Sequence, residues 1–428
     1  MKPEIKERIA QIRRGAVPSG YRKAAVGIIP SDWTQASVGE VCEINPSRSK
    51  TPDSVVTFLG MADVSEDGRI LNAKTTDYAK VSKGFTPFLR GDILVAKITP
   101  CFENGKGADT SELPTAQGFG STEFHVLRSK ICSKFVFYHT SSYEFRKKLE
   151  TEMSGSAGQK RVQTDSIASY LLPLPPLEEQ RRIAEILTTQ DKIIALKERR
   201  LAEKRRQKTF LAQRLLTGKM RLPGFDGKWK RMKLSEVLTE RKELKNKQNL
   251  RICSVAIQKG VVDQIEHLGR SYAAANTSKY NVVHYGDVIY TKSPTGEFPH
   301  GIIKQSQMRE NVAVSPLYAV YEPVTYELGY LLHTYFGFAI NCRNYLLPII
   351  QKGAKNTINI TNTVFISNRL LLPCDKDEQI ALGQLFAIAD REIEALQRDL
   401  ELEKRKKKAL MQLLLTGVVR VNSRRRTA

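Results

Sequence analysis

The chain has 428 residues, long enough for two or three domains each with its own core, and its 41% hydrophobic and 26% charged content is that of a globular protein. Lys and Arg number 68 against 45 Asp and Glu, a formal net charge of +23 with a pI near 9.7, which excludes an ordinary neutral enzyme surface and calls for a polyanionic partner. Nucleic acid leads a membrane surface here: the most apolar stretch, 328–340, is interrupted by His333 and too short for a bilayer, no secretory or lipidation signal is apparent, and a cytoplasmic location is expected. Cys42, Cys101, Cys132, Cys253, Cys342 and Cys374 are scattered with no Cys-x-x-Cys pair, so they read as reduced thiols rather than a disulfide framework or a zinc site.

Residues 4–14, E-I-K-E-R-I-A-Q-I-R-R, put Ile5, Ile9 and Ile12 on one face of a short amphipathic helix that ends at Gly15, with Pro18 just beyond. The run looks like the tail of the longer helices described below. The N-terminal segment, 1–25, is therefore expected to complete the C-terminal helix in space, which makes the repeat arrangement circular.

Two segments of similar length follow, 26–171 and 222–371, different in sequence but alike in skeleton. Trp33 with Val38-Gly39-Glu40-Val41 corresponds to Trp229 with Leu234-Ser235-Glu236-Val237. Gly91-Asp92-Ile93-Leu94 with Lys97 corresponds to Gly286-Asp287-Val288-Ile289 with Lys292, a turn feeding a short buried strand. Phe137-Tyr138-His139-Thr140 corresponds to Leu331-Leu332-His333-Thr334, inside a helix expected to pack on a sheet. The mixture of short β-rich runs and helices predicts an α+β class, and a shared framework with divergent loops fits one scaffold presenting two recognition surfaces.

The stretch after each segment is written twice. L-P-L-P-P-L-E-E-Q opens the first copy (172–221) and L-L-P-C-D-K-D-E-Q the second (372–420), closing on L-L-T-G-K-M-R-L and L-L-T-G-V-V-R-V. Glu378 follows Glu179, Asp390 follows Asp191 and Leu415 follows Leu216 at one constant offset of 199 residues (378 − 179, 390 − 191, 415 − 216). So long a period marks a duplicated module, not a solenoid. Within the copies, Ile183, Leu187, Ile194, Leu201, Leu211 and Leu215, and Leu382, Phe386, Ile393, Leu396, Leu400, Leu410 and Leu414, fall on a heptad seam. Gly218 and Gly417 stand where a left-handed C-terminal cap is needed. Seam positions Gln190, Lys197, Lys204 and Lys208 are polar; left unpaired in the interior each would cost several kcal/mol, so they lie at an edge, meet Glu403, or face a third partner. Two such helices are expected to pack on each other as a coiled coil, the competing reading being two independent surface helices. Residues 421–428, with Arg424-Arg425-Arg426, read as a basic tail.

Signs of catalysis are few. There is no phosphate loop, no H-E-x-x-H and no G-x-S-x-G elbow, Gly155-Ser156-Ala157-Gly158 leads into no dinucleotide pattern, and Pro52-Asp53 is a lone dipeptide. The six histidines show no metal-ligand spacing, and His139 and His333 read as structural. No metal site and no catalytic residue are expected.

The suggestive chemistry is basic and polar. Lys97, Thr99, Asn104 and Lys106 lie on one glycine-bearing loop, with Lys292, Ser293 and Thr295 at the corresponding place in the second segment. Gln159, Lys160 and Arg161, matched by Lys352, Lys355 and Asn356, form a second basic loop. Asn, Lys and Arg read adenine and guanine edges, while hydroxyls and backbone amides hold phosphates. Recurrence of both loops on a +23 chain favours DNA contact over solvated turns.

Two dissimilar segments alternating with L-P-L-P-P-L-E-E-Q…L-L-T-G helices resemble the specificity subunit of a type I restriction–modification enzyme; the N-terminal M-K-P-E-I-K-E-R-I run and Ile29-Pro30 before Trp33 share the likeness, while Cys374-Asp375-Lys376-Asp377 departs from it. The resemblance implies two target recognition domains, at 26–171 and 222–371, and two long helices forming an antiparallel coiled coil with pseudo-two-fold order. It also implies a bipartite, asymmetric double-stranded DNA target, and no cofactor in this chain. Two modification subunits would carry S-adenosylmethionine and two restriction subunits ATP and Mg2+. The alternatives are a specificity chain serving a methyltransferase–nuclease fusion, a nuclease with an unrecognised site, and a basic coiled-coil scaffold that binds DNA without sequence preference. On the first reading the seam from Ile183 to Leu215, roughly 50 Å at about 1.5 Å per residue, acts as a ruler between half-sites.

Overall fold

A computed structural model describes residues 3–47, 53–156, 158–269, 276–352 and 358–421. The chain divides into two compact units, one formed by Met1–Leu196 with Leu400–Ala428 and the other by Lys197–Asp399. Each unit takes in one of the two unlike segments and one part of each long helix.

The long helices run over Leu177–Leu215 and Lys376–Leu415. Each begins with two acids in its first turn, Glu178 and Glu179 or Asp377 and Glu378, where carboxylates face the unpaired amides and the positive end of the helix dipole. A glutamine secures each start: Gln180 donates to the Pro175 carbonyl and Gln379 to that of Pro373. Each helix ends where Gly218 (φ +69°) or Gly417 (φ +72°) takes up the left-handed conformation.

In the first unit Ile183 and Leu187 share a buried cluster with Leu414, and Gln190 donates to Glu403 at 2.6 Å. In the second, Lys197, Lys204 and Lys208 meet Asp399, Glu392 and Asp390 in that order. Rising positions on one helix answer falling positions on the other, so the pair is antiparallel. Ile183, Leu187, Ile194, Leu201, Leu215, Leu382, Phe386, Leu400 and Leu414 are buried, and Leu211, Ile393, Leu396 and Leu410 are half-buried. Of the three outcomes open to the polar seam residues, the structure shows Gln190 at Glu403 and the lysines on carboxylates of the opposite helix.

The unlike segments share one topology. In the first unit a mixed sheet has the order Lys74–Asp77, Val55–Leu59, Gln117–Gly120, Thr86–Leu89, its middle pair parallel. A second sheet has the order Cys42–Ile44, Phe124–Ser129, Ile93–Ala96, Gly107–Asp109 and is antiparallel throughout. The second unit repeats both: Gly260–Asp263, Arg251–Ala256, Val312–Val314, Asn281–Val283, again with a parallel middle pair, and Leu238–Glu240, Ala319–Pro323, Val288–Tyr290, Ile303–Gln305. Gly91 (φ +95°) and Gly286 (φ +90°) make the turn into Ile93–Ala96 and Val288–Tyr290, strands buried along their whole length. The buried aspartate after each glycine is bonded to an arginine from another strand or loop, Asp92 to Arg128 and Asp287 to Arg241. The α/β character of both segments and their likeness are thus present strand by strand.

Helices Ser133–Thr140 and Tyr326–Phe336 carry His139 and His333. Burial holds both imidazoles neutral, pushed down to about 3. The N-terminal helix, Pro3–Arg13, lies beside the end of the C-terminal one: Arg8 donates to the Val418 carbonyl, and Tyr21 to that of Gly417.

Candidate nucleic-acid interface

In the first unit the two basic loops come together. Ile98 and Ser154 each bridge to Arg161, and the Thr99 amide donates to the Lys160 carbonyl. Gln159 and Lys160 are exposed at the edge of this junction. Arg161 clasps Glu123 through Nε and Nη2, at 3.0 and 2.8 Å, and this guanidinium holds the Glu123 carboxyl below the usual range. The rest of the set is turned onto the protein. Lys97 donates to the Thr122 carbonyl at 2.8 Å, Thr99 to Glu103, Asn104 to Glu66, and Lys106 to the Met61 carbonyl. Burial lowers the pKa of Lys97, partly offset by Glu123.

In the second unit Lys292 adopts φ +60° and bonds to Asn362 Oδ1, and burial lowers its pKa also. Ser293 is exposed, and Thr295 donates to its carbonyl at 3.3 Å. Lys352 lies on a two-residue strand paired with Ile358–Asn359, while Lys355 and Asn356 lie outside the described residues, as do Pro52, Ala157 and the arginines of the tail. A surface that sequence reading missed is the stack of Arg309 on Tyr285 (4.5 Å to the ring centroid) and Tyr285 on Tyr326 (4.9 Å). Guanidinium and phenol faces of this kind accept bases by stacking.

Two further clusters join each unlike segment to the helices. In the first unit the buried Glu179 accepts from the Trp33 indole at 3.0 Å and from Arg420 through two N–H groups. In the second, Glu378 accepts from Trp229 at 3.2 Å and from Arg221 through two N–H groups at 2.6 Å. Beside these, Asp191 accepts from Tyr138 and pairs with Lys407, and Asp390 accepts from Tyr330 and pairs with Lys208. The arginines and lysines stand at the same 199-residue offset as the acids (420 − 221, 407 − 208), so the sequence signal was present. Among the described residues no group of three His, Cys, Asp or Glu is placed to hold a metal ion, and no helix is long and apolar enough to cross a membrane.

Residues 30–204 match the family described as Type I restriction modification DNA specificity domain. That stretch of the chain carries the family's domain. It is 39% identical over 161 residues to the EcoAI specificity subunit of Escherichia coli, covering 36% of this chain and 27% of that protein. It is 26% identical over 221 residues to the MjaVIII specificity subunit of Methanocaldococcus jannaschii, 47% of this chain and 49% of that one. The chain thus spans about a quarter of the length of the first of these specificity-family relatives. The crystal structure of a type I restriction–modification S subunit from M. genitalium shares the fold over 90% of this chain and 96% of that one, with a TM-score of 0.56 at 12% identity. Beyond residue 204 the chain repeats the strand order and helix clusters of the matched part.

Proposed function

We propose that this chain is the non-catalytic DNA-recognition subunit of a type I restriction–modification complex. The observation that carries the reading is the specificity domain matched at 30–204 together with its structural repetition in the second unit. Two similar scaffolds with unlike loops suit a bipartite, asymmetric duplex target, one half read by 26–171 and the other by 222–371. The +23 charge supplies the sequence-independent attraction to phosphate. Exposed Gln159, Lys160 and Ser293, and the Arg309–Tyr285 stack, are the groups best placed to meet DNA. Methyl transfer, with S-adenosylmethionine, and ATP-driven cleavage, with Mg2+, belong on this reading to two modification and two restriction subunits docked on the chain.

The test has two arms. The purified chain mixed with duplex, S-adenosylmethionine, ATP and magnesium is expected to methylate and cleave nothing; turnover without added subunits overturns the reading. Methylome sequencing of a host with and without this chain is expected to lose methylation at one bipartite motif. An unchanged methylome in a strain whose modification subunit is active would count equally against it.

A further inference from the structure

In the second unit the strand Ile303–Gln305 carries a lysine in its middle. Lys304 stands opposite Ile289 of Val288–Tyr290, and the residue is 7% exposed. At the corresponding register of the first unit, Ala108 stands opposite Leu94. The shared Gly-Asp turn fixes the correspondence, since Gln305 faces Val288 as Asp109 faces Ile93. Nothing in the framework common to both units requires a cation here; it is added in one of them.

Lys304 lines a cleft of about 280 Å³ together with Lys208, Tyr330, His333, Thr334 and Asp390. Among the described residues no group accepts a hydrogen bond from its ammonium, and no carboxylate stands within 4.0 Å of it. Asp390 is already engaged by Lys208 and by the Tyr330 hydroxyl, and Glu394 on the cleft wall pairs at 3.8 Å with Arg398. Burial and the neighbouring Lys208 push the Lys304 amine down to about 8, with Asp390 acting in the opposite sense. His333 accepts the Gln305 amide at Nδ1, so its neutral ring carries the proton on Nε2 and contributes a donor to the cleft. A buried, unpaired ammonium is among the most unfavourable groups a protein can hold, and it is stabilised when an anion supplies the missing charge.

We propose that this cleft binds a small free oxyanion of the phosphate or sulfate class, with Lys304 as its direct cationic partner. The cleft is polar, it opens beside two lysines, and its acidic members are satisfied within the protein. A duplex is a poor alternative source of the phosphate, because its backbone lies on a convex surface and the ammonium is recessed behind strand and helix.

The experiment is calorimetric titration of inorganic phosphate, and separately sulfate, into the full-length chain at constant ionic strength set with sodium chloride. Saturable binding near one equivalent is expected for the native chain and at least a tenfold loss for Lys304→Ala. That variant places in the second unit the residue already found at position 108, and its unfolding without phosphate is expected at the native temperature or above. Duplex binding by Lys304→Ala is expected to keep its affinity and salt dependence. No saturable heat with the native chain, equal binding by the variant, or a duplex salt slope reduced by about one unit each overturns the proposal, the last by assigning the charge to a DNA phosphate.

Discussion

Arg420 and Glu179, 241 positions apart, are joined by two parallel N–H···O contacts of 2.9 and 2.8 Å. Glu179 is 7% exposed, and its carboxylate also accepts from the Trp33 indole. Arg221, Glu378 and Trp229 make the same arrangement in the other unit. Trp33 and Trp229 are the chain's two tryptophans, so each unit carries its own fluorophore against its own ion pair.

Removing one arginine should therefore mark one unit. Taking away the partner of a buried carboxylate costs about 3–5 kcal/mol. Arg420→Ala is expected to lower the urea midpoint reported by Trp33, read in a Trp229→Phe background, and Arg221→Ala that reported by Trp229 in a Trp33→Phe background. If either substitution shifted both midpoints equally, the clusters would not be local to their units.

Gly383 tests how closely the C-terminal helix approaches its neighbour. A Cβ there would collide with the Glu327 carbonyl oxygen and Cβ, whereas the corresponding position of the other copy holds Ala184. Helix propensity favours alanine over glycine by about 1 kcal/mol, but forced overpacking costs about 1–3 kcal/mol and the obstacle is backbone. Gly383→Ala is expected to destabilise the second unit on balance; a raised midpoint in denaturant melts would show that the helices can separate at no cost.

Acid should weaken the fold through its buried histidines. His139 and His333 sit near 3 when folded and near 6.5 when unfolded, so the unfolded chain binds more protons as pH falls through 6.5. Their contribution is complete above pH 6.5 and is lost progressively down to about pH 3, at up to about 1.4 kcal/mol per pH unit for each ring. His139→Leu is expected to flatten the slope of stability between pH 6.5 and 5 by about that amount, and unfolding midpoints at four pH values would reveal an unaltered slope.

For DNA, Lys160 and Lys97 make a contrast. Lys160 is exposed, while the Lys97 ammonium is spent on the Thr122 carbonyl. Lys160→Ala is expected to reduce the slope of log affinity against log salt by about one unit without altering which sequence is preferred. Lys97→Ala is expected to leave that slope alone and instead loosen the junction of the two loops. Equal salt slopes for the native chain and Lys160→Ala would remove the loop from the interface.

The helix pair could be read from the sequence because heptad spacing and a 199-residue repeat are one-dimensional signals. The partners of its half-buried lysines could not: Asp390, Glu392 and Asp399 lie beside the apolar frame, where an acid looks like any solvated residue. The repeat also shows Arg221 and Glu378 separately, yet gives no sign that each arginine bonds the acid of the other copy. In the loops, composition cannot distinguish a side chain that reads a base from one that ties its own loop. Thr99 bonds to Glu103 of its own loop, and Asn104 to Glu66 of a separate segment, pairings that composition does not announce.

The crossed pairing of copies has a consequence for the order in which the chain matures on the ribosome. The unit Lys197–Asp399 is one uninterrupted stretch, and its cluster of Arg221, Trp229 and Glu378 is complete once that stretch has emerged. The other unit starts first and finishes last, because Trp33 and Glu179 wait more than 200 residues for Arg420. During that interval the nascent chain carries a buried-type carboxylate with no cation and an apolar helix face with no partner. The segment made first is thus the one most dependent on chaperone protection, and a ribosome stalled near residue 400 would release a chain folded in its middle and open at its beginning.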